Sequence, residues 1–411
     1  MRIFFSVGEP SGDQHAAHLI AELRRRVPAV EVVGLGGPLM EAAGCRLLYR
    51  MTDLAIMGIF RVIPMLLAFW RLYRLAKKSL DEARPDAVVL IDFPGFNWHI
   101  ARAAKKRGIR VFYYMPPQLW AWAPWRIRKV RKNVDHVLSG LTFERDWYVA
   151  RGVDAVFVGH PFFDEVAEHR LDEQFLRGRR TSRSTIPIDR TAVDEAEATA
   201  DTSRSTVRNV GVLPGSRHLE VTRNGPALMA IVGKLATRHP DARFRIACYK
   251  EEHRALLRQM ACQSEAEAQI EFCVGKTPEI IELSDCCLMV SGSVSLEVLA
   301  RRTPAVVVYK GGPLAAAMAK WVLTCKFISL PNLLANRMVM PEHFYSGDDA
   351  DAISEITATL DGWLSDDDAL EAKRQEMASL ANLTATTGAT ARTVDAVLER
   401  LGVASTTRVA A

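Results

Sequence analysis

Met1-Arg-Ile-Phe-Phe-Ser-Val7, then Gly8-Glu9-Pro10-Ser11-Gly12-Asp13, then an amphipathic run from His15 to Arg26 form the stretch that decides the fold. A short β-rich segment, a turn of glycine and polar side chains, and a helix-period pattern read as the first strand–loop–helix unit of a doubly wound α/β domain. Such sheets bind ligands outside the carboxyl ends of their strands. The Gly8–Asp13 loop is therefore a candidate cleft loop, with Glu9, Ser11 and Asp13 as its polar members.

The same alternation continues outward from this unit. Apolar runs predict strands at Val30–Gly34, Ala87–Ile91, Val111–Tyr114, Val134–Leu138 and Ala155–Val158, each followed by a helical pattern, and so a parallel sheet covered on both faces. A second series begins at Val210–Leu213 and continues through Phe244–Ala247, Ile270–Cys273, Cys287–Val290 and Ala305–Tyr309. Between them, from about Arg170 to Arg208, the chain is crowded with Thr, Ser, Arg, Asp and Glu and contains hardly any aromatics, so burial is not expected to offset its ordering entropy. The expected organisation is a first domain over 1–165, a flexible insertion or linker over 166–208, a second domain over 209–375, and C-terminal helices with a frayed tail over 376–411. Two doubly wound domains in tandem are expected to face each other across a cleft.

Bulk properties agree with two cores: 411 residues, 49% of them apolar, can bury more than one core, and two domains are the default expectation over a single large one. A net charge of +5, with Lys and Arg widely spread, does not call for a nucleic-acid partner. The seven cysteines show no C-x-x-C pair and no metal-ligand spacing, which suits a reducing compartment and no metal. No secretory signal is expected, and the cytoplasm is the expected location. The greasiest region, Ala55–Leu75, is interrupted by Arg61, Pro64 and Arg71, so it falls short of the roughly 20 apolar residues of a spanning helix.

Several segments carry candidate chemistry. Asp92, at the end of a strand and ahead of Phe93-Pro94-Gly95-Phe96-Asn97, reads either as a general base in a cleft or as the cap of the next helix. Leu213-Pro214-Gly215-Ser216-Arg217 offers backbone N–H groups, a helix start and a guanidinium to a phosphate, or else only caps that helix. Ser291-Gly292-Ser293, with Glu297 one turn into the next helix, suits a nucleoside diphosphate whose ribose Glu297 would hold; the plainer reading is a capped helix. Asp349-Ala350-Asp351 and Asp366-Asp367-Asp368 precede helical runs and read as caps, not metal ligands. Ile59, Phe60, Val62, Ile63, Leu66, Leu67, Phe69 and Trp70, followed by Arg71, Arg74, Lys77 and Lys78, read as a core helix with a basic solvent face or as an interfacial element that meets lipid. The Trp120-Ala121-Trp122-Ala123-Pro124-Trp125 stretch, with basic residues after it, reads equally as a lipid or sugar contact and as aromatic packing beneath the loops.

Taken in order, Gly8-Glu9-Pro10-Ser11-Gly12-Asp13, Met57-Gly58, Ile91-Asp92-Phe93-Pro94 with Phe96-Asn97, Pro117-Gln118-Leu119-Trp120-Ala121-Trp122, Gly159-His160-Pro161, Leu213-Pro214-Gly215-Ser216-Arg217 with Glu220, Ser291-Gly292 with Leu296-Glu297, and Ser329-Leu330-Pro331-Asn332-Leu333-Leu334-Ala335 closely resemble the lipid-A-disaccharide synthase family. The resemblance spans nearly the whole chain outside residues 170–208. It implies GT-B architecture, two Rossmann-like domains and a C-terminal helix returning to the first. It further implies an inverting, metal-independent and cofactor-free transfer from UDP-2,3-diacylglucosamine to 2,3-diacylglucosamine 1-phosphate, at the inner face of the cytoplasmic membrane.

Carried over by position, the resemblance gives Asp92 the general-base role. It places Ser216, Arg217, Ser291, Gly292, Ser293, Glu297 and Asn332 near UDP, and Glu9 and Asp13 in the loop facing it. It also shifts the Ile56–Trp70 patch toward membrane or acyl-chain contact, and leaves open whether the chain is a homodimer. Two positions depart from the family pattern: Gly95 stands where an acidic residue is usual, and Ser293 where threonine is common. The alternatives are a UDP-sugar 2-epimerase of the same architecture and a non-catalytic peripheral membrane protein that binds a nucleotide.

Overall fold

The computed structural model describes residues 1–51, 62–177, 179, 207–261, 267–311, 325–346 and 350–403. The chain divides into two compact units, one of Met1–Asp164 with the segment from Thr386 onward, the other of Glu165–Ala385.

The first unit is built on a seven-stranded sheet: β1 (Arg2–Val7), β2 (Glu31–Gly36), β3 (Arg46–Arg50), β4 (Ala87–Ile91), β5 (Arg110–Tyr114), β6 (His136–Ser139) and β7 (Ala155–Phe157). Their spatial order is β3-β2-β1-β4-β5-β6-β7 and every pairing is parallel. The chain turns back on itself between β1 and β4, where Val7 lies beside Ile91. That is the point at which a doubly wound sheet opens a crevice at its carboxyl edge. Phe4, Val88, Leu90, Val111 and Tyr113 bury one face of this sheet, and Ile3, Phe5, Val7, Val89 and Phe112 the other. Being buried on both faces, the strands read as continuous apolar runs in the sequence.

The helix Ala389–Leu401 belongs to this unit: Val394, Val397 and Leu398 pack into the second of these faces, and Arg26 pairs with Asp395. The buried Asp164 carboxylate accepts from Gly388, Ala389 and Thr390 N–H at 2.6, 3.2 and 3.0 Å and so caps that helix. The preceding helix, Asp367–Thr384, lies wholly in the second unit, so only the last described helix is shared with the first unit's fold.

The second unit repeats the plan with β8 (Asn209–Leu213), β9 (Arg243–Cys248), β10 (Ile270–Val274), β11 (Cys286–Val290), β12 (Ala305–Lys310) and β13 (Glu342–Tyr345). The order is β10-β9-β8-β11-β12-β13, again all parallel, and here the reversal falls between β8 and β11, with Leu213 beside Met289.

Three expectations change. Strands β3 and β13 were absent from the sequence reading because each is an edge strand, half solvated and without an apolar run. The expected loop at Gly8–Asp13 is mostly helix: Pro10–Arg26 is continuous, with proline in its first turn where a missing N–H costs nothing. Of the expected linker, residues up to 177 are ordered against the second unit. Asp172 caps the short Glu173–Leu176 helix and meets Lys276 at 2.5 Å, and Leu176 is fully buried. Residues 178 and 180–206 of that expectation lie outside the described residues.

Candidate active site

At the switch point of the first sheet, Asp92 directly follows β4. Asp92 and Phe93 both take left-handed backbone angles, φ 44° and 48°, which cost a non-glycine residue roughly 1 to 3 kcal/mol each. Buried groups hold them there. The Asn97 amide donates to the carbonyls of Asp92, Ile91 and Ser6 at 2.8, 3.2 and 3.2 Å, while Ser6 Oγ donates to Asn97 Oδ1 at 2.7 Å. The Tyr113 hydroxyl also donates to the Asp92 carbonyl, at 2.8 Å. Burial, reinforced by the nearby Asp92 charge, holds Tyr113 far above the ordinary tyrosine range, so it remains a donor. Gly8 is required here, because a Cβ on it would lie 2.3 Å from the Phe93 ring.

The Asp92 side chain caps nothing in the helix Pro94–Lys105, whose first turn has no side-chain cap. Burial pushes its carboxyl above the usual carboxylate range, opposed by the Phe93 N–H and by His15. A carboxylate so placed is a stronger base than a solvated one. On the same edge, after β7, the buried His160 accepts from Phe162 N–H at Nδ1 (3.2 Å), which leaves its proton on Nε2. Burial and the neighbouring His15 lower its pKa to about 3, so His160 is a neutral donor.

Glu9, Ser11 and Asp13 separate from one another. Glu9 stands at the N-cap and Ser11 is exposed in the first helical turn. Asp13 turns inward: only 2% exposed, it accepts from the main-chain N–H groups of Gly37, Leu39 and Met40 at 3.0, 3.0 and 3.1 Å. It organises the loop after β2, and its oxygens are occupied there. This corrects the reading of Asp13 as a cleft residue.

In the second unit, Gly215-Ser216-Arg217 follows β8 and Ser291-Gly292-Ser293 follows the adjacent strand β11, so both turns lie at one carboxyl edge. Gly215 has φ 102°, and a Cβ there would meet the Glu220 carboxylate at 2.6 Å. Arg217 is exposed at the start of the helix His218–Arg238 and pairs with Glu220 at 3.0 Å. Ser216, Gly292 and Ser293 are open to solvent, and nothing stands within 4 Å of a Cβ on Gly292, which leaves room for a ligand to approach the backbone. Glu297 is buried in the helix Val294–Ala300; burial raises its pKa, against the pull of Arg301, which it meets at 3.1 Å.

The Asn332 side chain is engaged by its own chain. Fully buried, its amide donates to Met340 O and Glu342 Oε1 at 2.7 and 2.8 Å and accepts from Val339 and Met340 N–H at 2.7 and 2.8 Å. All four of its hydrogen-bonding positions hold the turn before β13. At the position the resemblance puts near UDP, this side chain shapes the turn.

A family model described as lipid-A-disaccharide synthetase matches residues 3–392. The lipid-A-disaccharide synthase of Azotobacter vinelandii is 34% identical over 362 residues, 88% of this chain and 89% of that protein. That of Idiomarina loihiensis is 33% identical over 360 residues, 87% and 89%. The chain belongs to the lipid-A-disaccharide synthase family. It is a glycosyltransferase of lipid A biosynthesis, with UDP-sugar and lipid substrates.

The synthase shares its fold with a UDP-bound Staphylococcus aureus MnaA (10% identical, TM-score 0.60, 98% of this chain and 97% of that one). Acinetobacter baumannii MurG is similar (13%, TM-score 0.57, 97% and 99%). These likenesses fix the architecture as GT-B. They do not carry function at such identity, so the resemblance in shape to an epimerase from Neisseria meningitidis (12%, TM-score 0.59, 97% and 100%) does not make the synthase an epimerase.

The apolar patch of the synthase splits. Ile59 and Phe60 lie outside the described residues; Val62, Ile63 and Leu66 fall in the helix Val62–Ala83, their side chains undescribed. Leu67 and Trp70 point outward, 56% and 55% exposed, with Arg74 over the Trp70 ring at 4.7 Å. Phe69 faces inward, packed on Phe93 and Phe96 at 5.9 and 5.8 Å between ring centres, which corrects its assignment as a lipid contact. Among the described residues no helix is long and apolar enough to cross a membrane. The tryptophan run divides likewise: Trp120 is buried and donates to Glu144 at 3.0 Å, while Trp125 is exposed.

Sequence reasoning gave Asn97 and His160 no role, although Phe96-Asn97 and Gly159-His160-Pro161 stand among the segments that resemble the family and both follow strands of the first sheet.

Proposed function

We propose that the synthase transfers the diacylglucosaminyl group of UDP-2,3-diacylglucosamine to the 6-hydroxyl of 2,3-diacylglucosamine 1-phosphate. Asp92 takes the hydroxyl proton as the oxygen bonds to the anomeric carbon. The bond from that carbon to the diphosphate oxygen breaks, UDP leaves with the electron pair, and a single displacement inverts the centre to a β-1,6 linkage. Arg217, the Gly215–Ser216 turn and the Ser291–Ser293 turn hold the diphosphate, whose charge grows as the bond breaks; preorganised donors of this kind contribute about 3 kcal/mol apiece. Glu297 accepts from the ribose hydroxyls. Leu67 and Trp70, flanked by Arg71, Arg74 and Lys78, rest on the inner face of the cytoplasmic membrane and give the acyl chains access.

The observation that carries this reading is the family match together with a strained, desolvated carboxylate at the switch point of the first sheet. The test is incubation of the detergent-solubilised protein with both substrates and mass spectrometry for the tetraacyl disaccharide 1-phosphate. No disaccharide from folded protein sinks the proposal. With Asp92→Asn, turnover is expected to drop by about 10²-fold or more; near-normal turnover removes Asp92 from the base role and leaves the transfer reaction standing.

A further inference from the structure

We propose that the side-chain amide of Gln118 holds the acceptor's 4-hydroxyl, the free hydroxyl nearest the reacting one; the inference rests on the reading of Asp92 as the base for the acceptor's 6-hydroxyl. The placement follows from the sheet. Strands β4 and β5 pair with Ile91 beside Tyr114, so Asp92 and Met115 leave the carboxyl edge next to each other. The Tyr113 hydroxyl ties the two strand ends, donating to the Asp92 carbonyl at 2.8 Å. Gln118 follows Met115 by three residues, in the loop at that same edge.

This loop is fixed on both sides of Gln118. Met115 N–H donates to the Leu138 carbonyl of β6 at 3.1 Å. A Cβ on Gly140 would stand 2.8 Å from Met115 Sδ and 3.2 Å from His160 Cδ2, so the segments after β5, β6 and β7 close on one another here. Pro116 and Pro117 are buried, with φ set by their rings. The Pro117 carbonyl accepts from the Tyr148 hydroxyl at 2.9 Å and from Leu119 N–H at 2.6 Å. The second of these bonds closes an inverse γ-turn with Gln118 at its apex, φ −68° and ψ 62°. Beyond the turn Leu119 is fully buried, and Trp120 donates to Glu144 at 3.0 Å, whose carboxylate is held in turn by Ser139 Oγ at 2.6 Å. The Trp120 ring meets Phe143 edge-on, 4.9 Å between centres.

Within residues 116–121 Gln118 alone is exposed. Its carbonyl accepts from Ala121 N–H at 3.0 Å, but its side chain caps nothing and takes no part in the network beneath it. A buried frame that fixes the backbone of one outward amide is the arrangement that presents a ligand contact with little freedom left to lose. The amide offers one acceptor oxygen and two N–H donors, without charge. That set matches a hydroxyl, which both donates and accepts, whereas a phosphate calls for a cation. On 2,3-diacylglucosamine 1-phosphate, C1 carries the phosphate, C2 and C3 the acyl chains, and C6 the attacking oxygen. The 4-hydroxyl is the neutral polar group that remains, and holding it orients the ring so that the 6-hydroxyl meets Asp92. Gln118 gains and loses no proton in the transfer.

The test is steady-state kinetics of the full-length protein in detergent, with the natural acceptor and with its 4-deoxy analogue. Gln118→Met keeps the side chain's length and removes the amide. It is expected to lower kcat/KM for the acceptor about three- to tenfold, the scale of one neutral hydrogen bond, through a raised acceptor KM and with the KM for UDP-2,3-diacylglucosamine unchanged. The 4-deoxy acceptor is expected to cost the wild type the same factor and to cost Gln118→Met nothing further, because amide and hydroxyl are two halves of one interaction. No loss in Gln118→Met, a raised KM for the donor instead of the acceptor, or losses that add when variant and analogue are combined overturns the proposal. If Gln118→Met does not fold, the wild type decides from the substrate side: equal kcat/KM for the two acceptors counts against the contact. Asp92→Asn is the separate control. Near-normal turnover in that variant removes the base reading on which the inference rests, whereas additive losses beside an impaired Asp92→Asn strike Gln118 alone.

Discussion

Replacing Asp13 with alanine tests whether the acid of the opening motif is scaffold or site. Its carboxylate takes three main-chain N–H groups at 3.0 to 3.1 Å in an environment that leaves it 2% exposed. A hydrogen bond to a charged acceptor contributes about 1.5 to 3 kcal/mol, and a buried donor left without its partner costs the full desolvation of that group. The three bonds share one acceptor and do not add, so a loss of about 3 to 5 kcal/mol is expected. Against a domain stability of about 5 to 15 kcal/mol this is a large fraction. Asp13→Asn keeps one acceptor oxygen but turns an NH2 toward N–H donors, and about 2 kcal/mol is expected. Urea unfolding reads the total, and amide exchange at Gly37, Leu39 and Met40 reads the mechanism, because those amides lose protection first. An Asp13→Ala protein with unchanged unfolding midpoint and unchanged protection, yet impaired in catalysis, would refute the scaffold assignment and return Asp13 to the site.

The other predictions concern different parts of the molecule. Burial pushes the Glu144 carboxyl up to about 7, against bonds from Ser139 and Trp120 that lower it, while the unfolded chain titrates near 4.5. Between these values the native state binds the extra proton, so stability is full below about 4.5 and declines as pH rises through 7, by of order 3 kcal/mol. Glu144→Gln should flatten that slope in urea midpoints taken from pH 4.5 to 8, and an unchanged slope would count against it. Asn332→Leu is expected to destabilise the second unit by about 3 kcal/mol or more through orphaned N–H and C=O groups. UDP binding by calorimetry should then weaken only through unfolding; a folded variant with a specific loss of UDP affinity would put the amide back at the ligand. Leu67→Ser with Trp70→Ser removes two outward apolar groups and should lower partition onto anionic vesicles by about tenfold or more, without change in the unfolding midpoint. Unaltered vesicle binding in sedimentation assays would exclude this face from membrane contact.

Much of the fold was legible because parallel strands buried on both faces leave uninterrupted apolar runs. The expected strands at Ala87–Ile91 and Ala305–Tyr309 coincide with, or fall one residue short of, β4 and β12. Edge strands β3 and β13 carry no such run, since each is only partly buried and mixes charged with apolar residues. The turns after β4, β8 and β11 were legible as well, because glycine, serine and an acid at a strand end already indicate an unusual backbone. The roles inside those turns were not. Phe69 and Trp70 are neighbours in sequence with similar hydropathy, and only the helix's rotation on the sheet sends one to Phe93 and the other to solvent.

The chain's own pattern determined two doubly wound halves and the strand ends where chemistry belongs, because apolar periodicity and turn chemistry are local properties of a sequence. Tertiary structure alone decided which polar residues of each motif are free to act. Asp13 and Asn332 look like ligands by their place in the motifs, and they spend their hydrogen bonds within the fold, Asp13 on the main chain after β2 and Asn332 on the turn before β13. Asp92 looks like a helix cap and instead has its backbone clamped by Asn97 and Tyr113, while its side chain caps no helix. A hydrogen bond is a contact in space, and residues 24 to 91 positions apart meet here only after the sheet has formed.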